Sequence, residues 1–176
     1  MLNIEQLKAE SSSVNIVKME LNDFGDYVMI PSDEPTFFDR FVKGYRGIIN
    51  LADGIPDKIE EIKKKYEGKE DFQSSLDMIT EISGVNVNFS EEAVKIINGI
   101  FGDDVIKKYF REVYEEVHGF LPDADCIIDF FEKITPTIEK IFNQKMERQD
   151  KQRKERMTKY QPQDHKKPQT KRKSSK

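Results

Sequence analysis

Apolar side chains recur at helical spacing over most of the chain between Phe37 and Phe142. The stripes are separated by Gly, Pro and Asp, residues that end one helix and start the next. They predict helices over residues 37–52, 56–66, 72–82, 90–101, 104–117 and 124–142. Because each apolar stripe must be buried against another, this pattern predicts a helical bundle of about six helices.

Two helix boundaries are predicted near the middle of the chain. Gly84 ends the third helix, and the alternating residues 85–89 are then a linker or, as the second choice, a short strand. Ser90 precedes Glu91 and Glu92, so a hydroxyl cap and two carboxylates meet the positive end of the fourth helix. The fifth helix restarts at Asp103 and Asp104.

The last apolar stripe is the strongest in the chain. Phe130 and Ile134 lie at its centre and are predicted to be in the core. Pro136 removes a backbone donor inside this stripe, so we expect a kink near Ile134. Beyond Phe142 the stripe fades, but helix-forming residues continue, which predicts a helix projecting into solvent to about Tyr160.

A different pattern precedes the first helix. Residues 14–21 and 27–30 are rich in strand formers, and the turn sequence at 22–26 lies between them. This pattern predicts an N-terminal β-hairpin, which must pack on the helices or pair with another chain. Residues 1–13 are polar, and we expect a flexible N-terminus with at most a short helix.

Charge divides the chain into an acidic body and a basic tail. Residues 145–176 hold 13 Lys/Arg and 4 Asp/Glu, whereas residues 1–144 hold 16 Lys/Arg and 29 Asp/Glu. We therefore expect a hairpin plus helical domain over 14–145 and a basic extension over 146–176, partly helical and then disordered from 161. The predicted fold class is mainly α, and the charge asymmetry can drive self-association or anion binding.

The sequence offers little chemistry for catalysis or for a cofactor. It has two histidines, one cysteine and no tryptophan, and it lacks a Gly-rich phosphate loop or metal-spaced ligands. We therefore predict no catalytic, cofactor-binding or metal-binding residue. Cys126 is interpreted as a buried structural thiol, and a lone cysteine favours a reducing compartment. No segment has the ~20 apolar residues of a membrane span, so a soluble, cytoplasmic product is expected.

Three stretches resemble the tail assembly chaperones of long-tailed bacteriophages and prophages. The run from Val94 to Phe110 resembles their helix, Phe-Gly-acidic turn and Lys-Lys-aromatic helix. Residues 130–140 resemble their closing helix, and residues 37–52 resemble their first helix. The resemblance covers residues 14–145 approximately and carries no active site.

This resemblance implies a non-catalytic, oligomeric assembly factor. Such chaperones bind the tape measure protein, keep it soluble and help recruit tail tube subunits. They act in the bacterial host cytoplasm and are absent from the mature virion. Many are also made in a longer form through a ribosomal frameshift.

A client-binding surface is predicted on the first helix, which has more aromatic residues than one buried stripe requires. We expect Phe38, Val42 and Tyr45 to contact the client or the next subunit, with Gly44 and Gly47 permitting close approach. The alternative is that this second line of residues is also buried in a thick bundle.

Two other functions stay open at this point. The basic tail could neutralise phosphates of a nucleic acid, although it has no aromatic ladder and the acidic body would repel the polymer. We therefore expect nucleic-acid binding less than a solubilising or partner-docking tail. An enzyme would be favoured by a ligand-sized polar pocket around His118.

Overall fold

The computed structural model describes residues 4–8 and 15–159. The predictions for 1–3, 9–14 and 160–176, including the disordered tail, lie outside these residues. The described chain is mainly α, with one antiparallel sheet, which confirms the predicted fold class. Its elements are β1 (Ile4–Lys8), β2 (Asn15–Glu20), β3 (Tyr27–Pro31), α1 (Pro35–Asp53), α2 (Ile55–Tyr66), α3 (Phe72–Phe101), α4 (Val105–Tyr109), α5 (Arg111–Glu116) and α6 (Ala124–Lys159).

The predicted hairpin is confirmed, and a third strand joins it. Strands β2 and β3 pair antiparallel with Val17 opposite Ile30, and both of these side chains are buried. Strand β1 pairs antiparallel with β2, so the expectation of a flexible segment or short helix is wrong for 4–8. The pairing supplies the backbone hydrogen bonds that this polar segment lacks when it is alone. The inward face of β2 and β3 belongs to the same core as the helices.

Helix α3 is continuous where we predicted a break and a new cap. Its cap is Asp71, whose Oδ1 accepts a hydrogen bond from Ser74 N at 2.8 Å. Gly84 lies inside the helix, and the hydroxyl of Ser90 donates to the carbonyl of Asn86 at 2.9 Å instead of capping a helix start. Glycine inside a helix costs about 1 kcal/mol, less than burial of a side chain such as Phe89 contributes.

The predicted helix over 104–117 is two short helices, α4 and α5. Phe110 separates them with φ −98° and ψ 33°. The ring of Tyr109 packs on Phe130 at 4.9 Å between centroids, whereas Phe110 packs on Phe120 at 5.9 Å. The two short helices therefore place these adjacent rings against different neighbours.

Helix α6 begins at the predicted cap, because Asp123 Oδ1 accepts a hydrogen bond from Cys126 N at 2.9 Å. It extends to Lys159, as predicted from its helix-forming residues. Phe130 and Ile134 are both 0% exposed, which confirms their place in the core. Pro136 lies inside the helix, and the kink near it stays a prediction.

Helices α1 and α3 approach closely at Gly44. A Cβ atom at this position would lie 2.5 Å from Ile100 Cδ1 and 3.0 Å from Ile96 Cγ2. Gly47 faces the same helix, with Ile96 Cδ1 3.8 Å from its hypothetical Cβ. Gly44 therefore serves packing inside the chain, which corrects its expected role in contacting a client or a second subunit, whereas the role of Gly47 stays a prediction.

Candidate partner-binding groove

Helix α1 carries two apolar stripes with different environments. Phe37, Phe41 and Ile48 are buried and face the core. Phe38 and Tyr45 are half-buried on the neighbouring line, and Val42 between them is 43% exposed. Burial of the first stripe anchors α1 on the hydrophobic core. The second stripe is therefore held in a fixed position at the surface.

Helix α6 runs antiparallel to α1 along this second stripe. The ring centroid of Phe38 is 5.0 Å from that of Phe142, and the centroid of Tyr45 is 5.1 Å from that of Phe131. Both contacts are within the range of attractive aromatic pairs. They define the two ends of a shallow groove between the helices.

The groove has a volume of about 700 Å³ and a mainly apolar floor. It is lined by Phe38, Phe41, Val42, Tyr45, Arg46, Thr135, Ile138, Glu139, Phe142 and Asn143. The three residues predicted as a partner surface therefore lie together in one concave site. Whether they bind a partner stays a prediction.

The α6 side of the groove was not expected from the sequence. Phe142 ends the apolar stripe that we assigned to the core, yet it is 41% exposed. A signal for this was available, because Phe142 is the residue at which that stripe fades into polar residues. Phe142 from α6 and Val42 from α1 therefore both present exposed apolar surface to the groove.

Lys145, a largely buried residue of α6, lies beside Phe38 but does not line the groove. Lys145 is 8% exposed, and its Nζ lies 5.1 Å from the centre of the Phe38 ring. Such a distance allows a cation–π attraction. Among the described residues, Lys145 has no carboxylate within salt-bridge distance.

A second exposed apolar surface lies on the first half of α3. Phe72, Leu76 and Ile79 are 78%, 41% and 57% exposed and recur at helical spacing. Helix α2 is the main neighbour of this half and has no buried residue of its own. We call Phe72, Leu76 and Ile79 the α3 stripe.

A polar cleft of about 550 Å³ lies between the β2–β3 turn and helices α4, α5 and α6. Both of its basic side chains are paired within the chain: Arg111 contacts Asp26 at 3.3 Å, and Lys133 contacts Asp129 at 2.8 Å. The hydrogen bond to Asp129 raises the pKa of Lys133, which makes this amine a poor base.

The two residues most suited to catalysis are not organised for it. His118 is exposed and lines neither the groove nor the polar cleft. Burial raises the pKa of the half-buried Cys126 thiol, and hydrogen bonding to Asp123 raises it further. A raised pKa keeps the thiol protonated and unreactive at neutral pH.

No family model, curated protein or solved structure matches this chain. Its function is therefore inferred from its own surfaces, and the groove between α1 and α6 is a concave, mainly apolar one.

The described part of the chain also lacks two kinds of feature that would point to other functions. Within 4–8 and 15–159, no cluster of three or more His, Cys, Asp or Glu residues could hold a metal ion. None of the helices in these ranges is long and apolar enough to cross a membrane.

Proposed function

We propose that this protein is a non-catalytic assembly chaperone of the phage-tail type. In this proposal it binds the tape measure protein in the host cytoplasm, keeps it soluble and helps recruit tail tube subunits. It acts as a homo-oligomer and is absent from the mature virion. The observation that supports the proposal best is the apolar groove formed by Phe38, Val42, Tyr45 and Phe142.

The shape of the groove suits an α-helix as its occupant. Two antiparallel helices form its walls, and a third helix laid between them buries an apolar stripe against both. The lining residues of α1 extend from Phe38 to Arg46, which corresponds to about 12 Å of helix. An occupant would therefore contribute apolar side chains from two or three successive turns.

The α3 stripe supports the same proposal independently of the groove. A long helical client meets many copies of a chaperone, and each copy that has more than one apolar surface adds to the total binding energy. Single patches of a few hundred Å² bind weakly, but repeated patches bind a long client by avidity. The exposed Phe72 and Ile79 fit this requirement.

The proposal is tested by co-expression with the tape measure protein encoded in the same genome. Val42→Asp places a charge on the groove floor, and we expect it to lower the soluble fraction of the client severalfold. Leu121→Asp is the matched control, because Leu121 and Val42 are both 43% exposed but Leu121 lies outside the groove. Val42 is preferable to Phe38, whose ring contacts Phe37 and Phe142.

Circular dichroism and gel filtration of each variant alone establish that it is folded. If wild-type protein leaves the client insoluble, the chaperone function is rejected. If Val42→Asp solubilises the client as well as Leu121→Asp does, the groove is not the client surface.

A second candidate function is nucleic-acid binding, favoured by the end of α6. Residues 145–159 carry seven Lys/Arg and three Asp/Glu, and nearly all of their side chains are exposed. Binding through this segment would fall steeply with salt because phosphate contacts release counterions. Duplex DNA and single-stranded RNA of mixed sequence, titrated at several salt concentrations, are suitable probes. Weak binding that does not depend on salt would exclude this function.

A further inference from the structure

We infer that copies of this protein associate head to tail, with an arginine from the end of α6 in one copy bound in the polar cleft of the next copy. The inference rests on the proposed function, which includes self-association, and it names the two surfaces that meet. The cleft supplies carboxylates and aromatic rings, and residues 151–159 supply guanidinium and ammonium groups. We call residues 151–159 the basic arm.

The polar cleft has an excess of acidic groups. Four of the described residues that line it are acidic, namely Glu20, Asp23, Glu112 and Asp129, whereas only two are basic, and both of these are paired within the chain. Asp23 and Glu112 are exposed, and neither takes part in an ion pair between described residues. Their two carboxylates can therefore attract a cation from a partner.

Aromatic rings give the cleft a second means of holding a cation. Phe24, Tyr109 and Phe110 line it, and Phe24 at the β2–β3 turn is 57% exposed. Cζ of Arg111 lies 5.5 Å from the centre of the Phe24 ring, so this ring already makes one cation–π contact, and its exposure leaves room for another. Arginine fits carboxylates and aromatic faces together, because its planar guanidinium donates paired hydrogen bonds and also stacks.

The basic arm presents such groups without partners of their own. It holds five Lys/Arg, including Arg153 and Arg156, and one acidic residue, Glu155. All of its side chains are exposed, and no ion pair between described residues includes any of them. The two arginines are three residues apart, a spacing that makes them neighbours on the surface of a helix. Both can therefore approach one acidic surface together.

The basic arm cannot reach the cleft of its own copy. Asp129 and Lys133 of α6 line the cleft, whereas Arg153 lies twenty residues further along the same continuous helix. At the rise of an α-helix these positions are about 30 Å apart, several times the length of a side chain. Contact between the arm and the cleft is therefore a contact between two copies.

A contact between two different surfaces leaves one of each kind unused on every pair of copies. Such heterologous contacts continue from copy to copy and form a row or a ring. The groove between α1 and α6 is then repeated once per copy, as avidity for a long client requires.

The test measures self-association of the nuclease-treated, full-length protein by sedimentation velocity over a range of concentrations. The cleft variant carries Asp23→Lys and Glu112→Lys, and the arm variant carries Arg153→Glu and Arg156→Glu. We expect wild-type protein to associate at low salt and to dissociate as the salt concentration rises. Each variant should raise the dissociation constant of self-association by about tenfold or more.

A matched control separates the cleft from the net charge of the chain. Glu61→Lys with Glu70→Lys makes the same change of charge at two exposed residues that do not line the cleft. This control should associate as wild-type protein does. Circular dichroism of each variant shows whether the fold is kept.

A mixture of the two variants provides the sharpest test. The cleft variant keeps a basic arm and the arm variant keeps an acidic cleft, so an equimolar mixture should form a complex that neither variant forms alone. The two reversed surfaces are also complementary to each other, which adds to this expected recovery.

Several results would overturn the inference. They are a wild-type protein that stays monomeric at low salt, variants that associate as wild-type protein does, and a mixture in which association is not recovered. Weakening by the Glu61 and Glu70 control as large as that of the cleft variant would indicate a general charge effect. Association that is seen only before nuclease treatment would show that nucleic acid bridges the copies. The client test with Val42→Asp uses a different surface, so it judges the chaperone function separately from these results.

Discussion

The two halves of α3 belong to one continuous helix but have opposite environments. The second half contains every buried residue of the helix, including Phe89, Ala93 and Ile97. The first half has none, and it exposes Phe72 and Ile79 beside α2. Burial of one half anchors the helix, so the other half can present apolar side chains to solvent without unfolding. Apolar content alone therefore does not distinguish a core stripe from a binding stripe.

The largest expected loss of stability comes from a substitution at the centre of the core. The second half of α3 packs against this part of the core. Phe130 is 0% exposed, and its ring contacts Phe101 at the end of α3. Phe130→Ala should lower the free energy of unfolding by about 3–5 kcal/mol, because it leaves a large cavity. Chemical denaturation measures this change. An unchanged denaturation midpoint would show that this part of α3 is not anchored by the core.

A pair of identical substitutions compares the two halves directly. Ile97 is 0% exposed and Ile79 is 57% exposed, although both are isoleucines of α3. Ile97→Ala should cost about 2–5 kcal/mol of stability, whereas Ile79→Ala should cost about 0.5 kcal/mol or less. The two unfolding curves, recorded under the same conditions, give the difference. Equal losses would mean that the first half is buried in solution, for instance in an oligomer that dissociates on dilution.

A substitution at the junction between the two halves of α3 should increase the stability of the protein by a smaller amount. Gly84 lies within the helix, and an added Cβ would have no neighbour within 4 Å. Gly84→Ala should therefore stabilise the protein by about 0.5–1 kcal/mol, since alanine is the better helix former. A rise in the thermal midpoint would confirm this. Destabilisation would indicate that the junction must bend, so that the two halves are less continuous than described.

The smallest expected effect is at the cap of the exposed half. Hydrogen bonds from the hydroxyl and the backbone N–H of Ser74 lower the pKa of Asp71 below its usual value. A carboxyl whose pKa is lower in the folded protein contributes stability above its unfolded pKa and loses it as the pH falls through the folded pKa. The first turn of α3 should therefore fray below about pH 4. Carbon chemical shifts of Asp71 against pH measure this pKa, and Asp71→Asn removes the titration.

Features that depend on neighbouring residues in the sequence were predicted well. The β2–β3 hairpin, the Asp123 cap and the burial of Phe130 all follow from short patterns of turn, cap and apolar residues. The prediction of a break at Gly84 was wrong because one glycine costs a helix only about 1 kcal/mol, less than burial of the following half of α3 contributes. The strand at 4–8 was missed because its pairing with β2 depends on a distant segment.

The part of the candidate site that lies on α1 was predicted, because it also depends on residues that are close in sequence. Phe38, Val42 and Tyr45 are close in sequence, so an excess of apolar residues on one helix pointed to them. The contribution of Phe142 comes from a helix about a hundred residues later. Sequence periodicity shows which face of each helix is apolar, but it does not show which other helix that face packs against. The groove between α1 and α6 therefore could not be predicted from the sequence.

The length of α6 links the groove mechanically to the end of the described chain. The helix forms one wall of the groove around Glu139 and continues without interruption to Lys159, about 30 Å further on. Pro136 lies at the groove wall and removes one hydrogen bond from the helix there, so bending is least costly at this point. A tilt of about 10° at the wall would carry Lys159 through about 5 Å, given this length. Any change of bend at the groove wall would therefore be largest, as a displacement, at the basic end of α6.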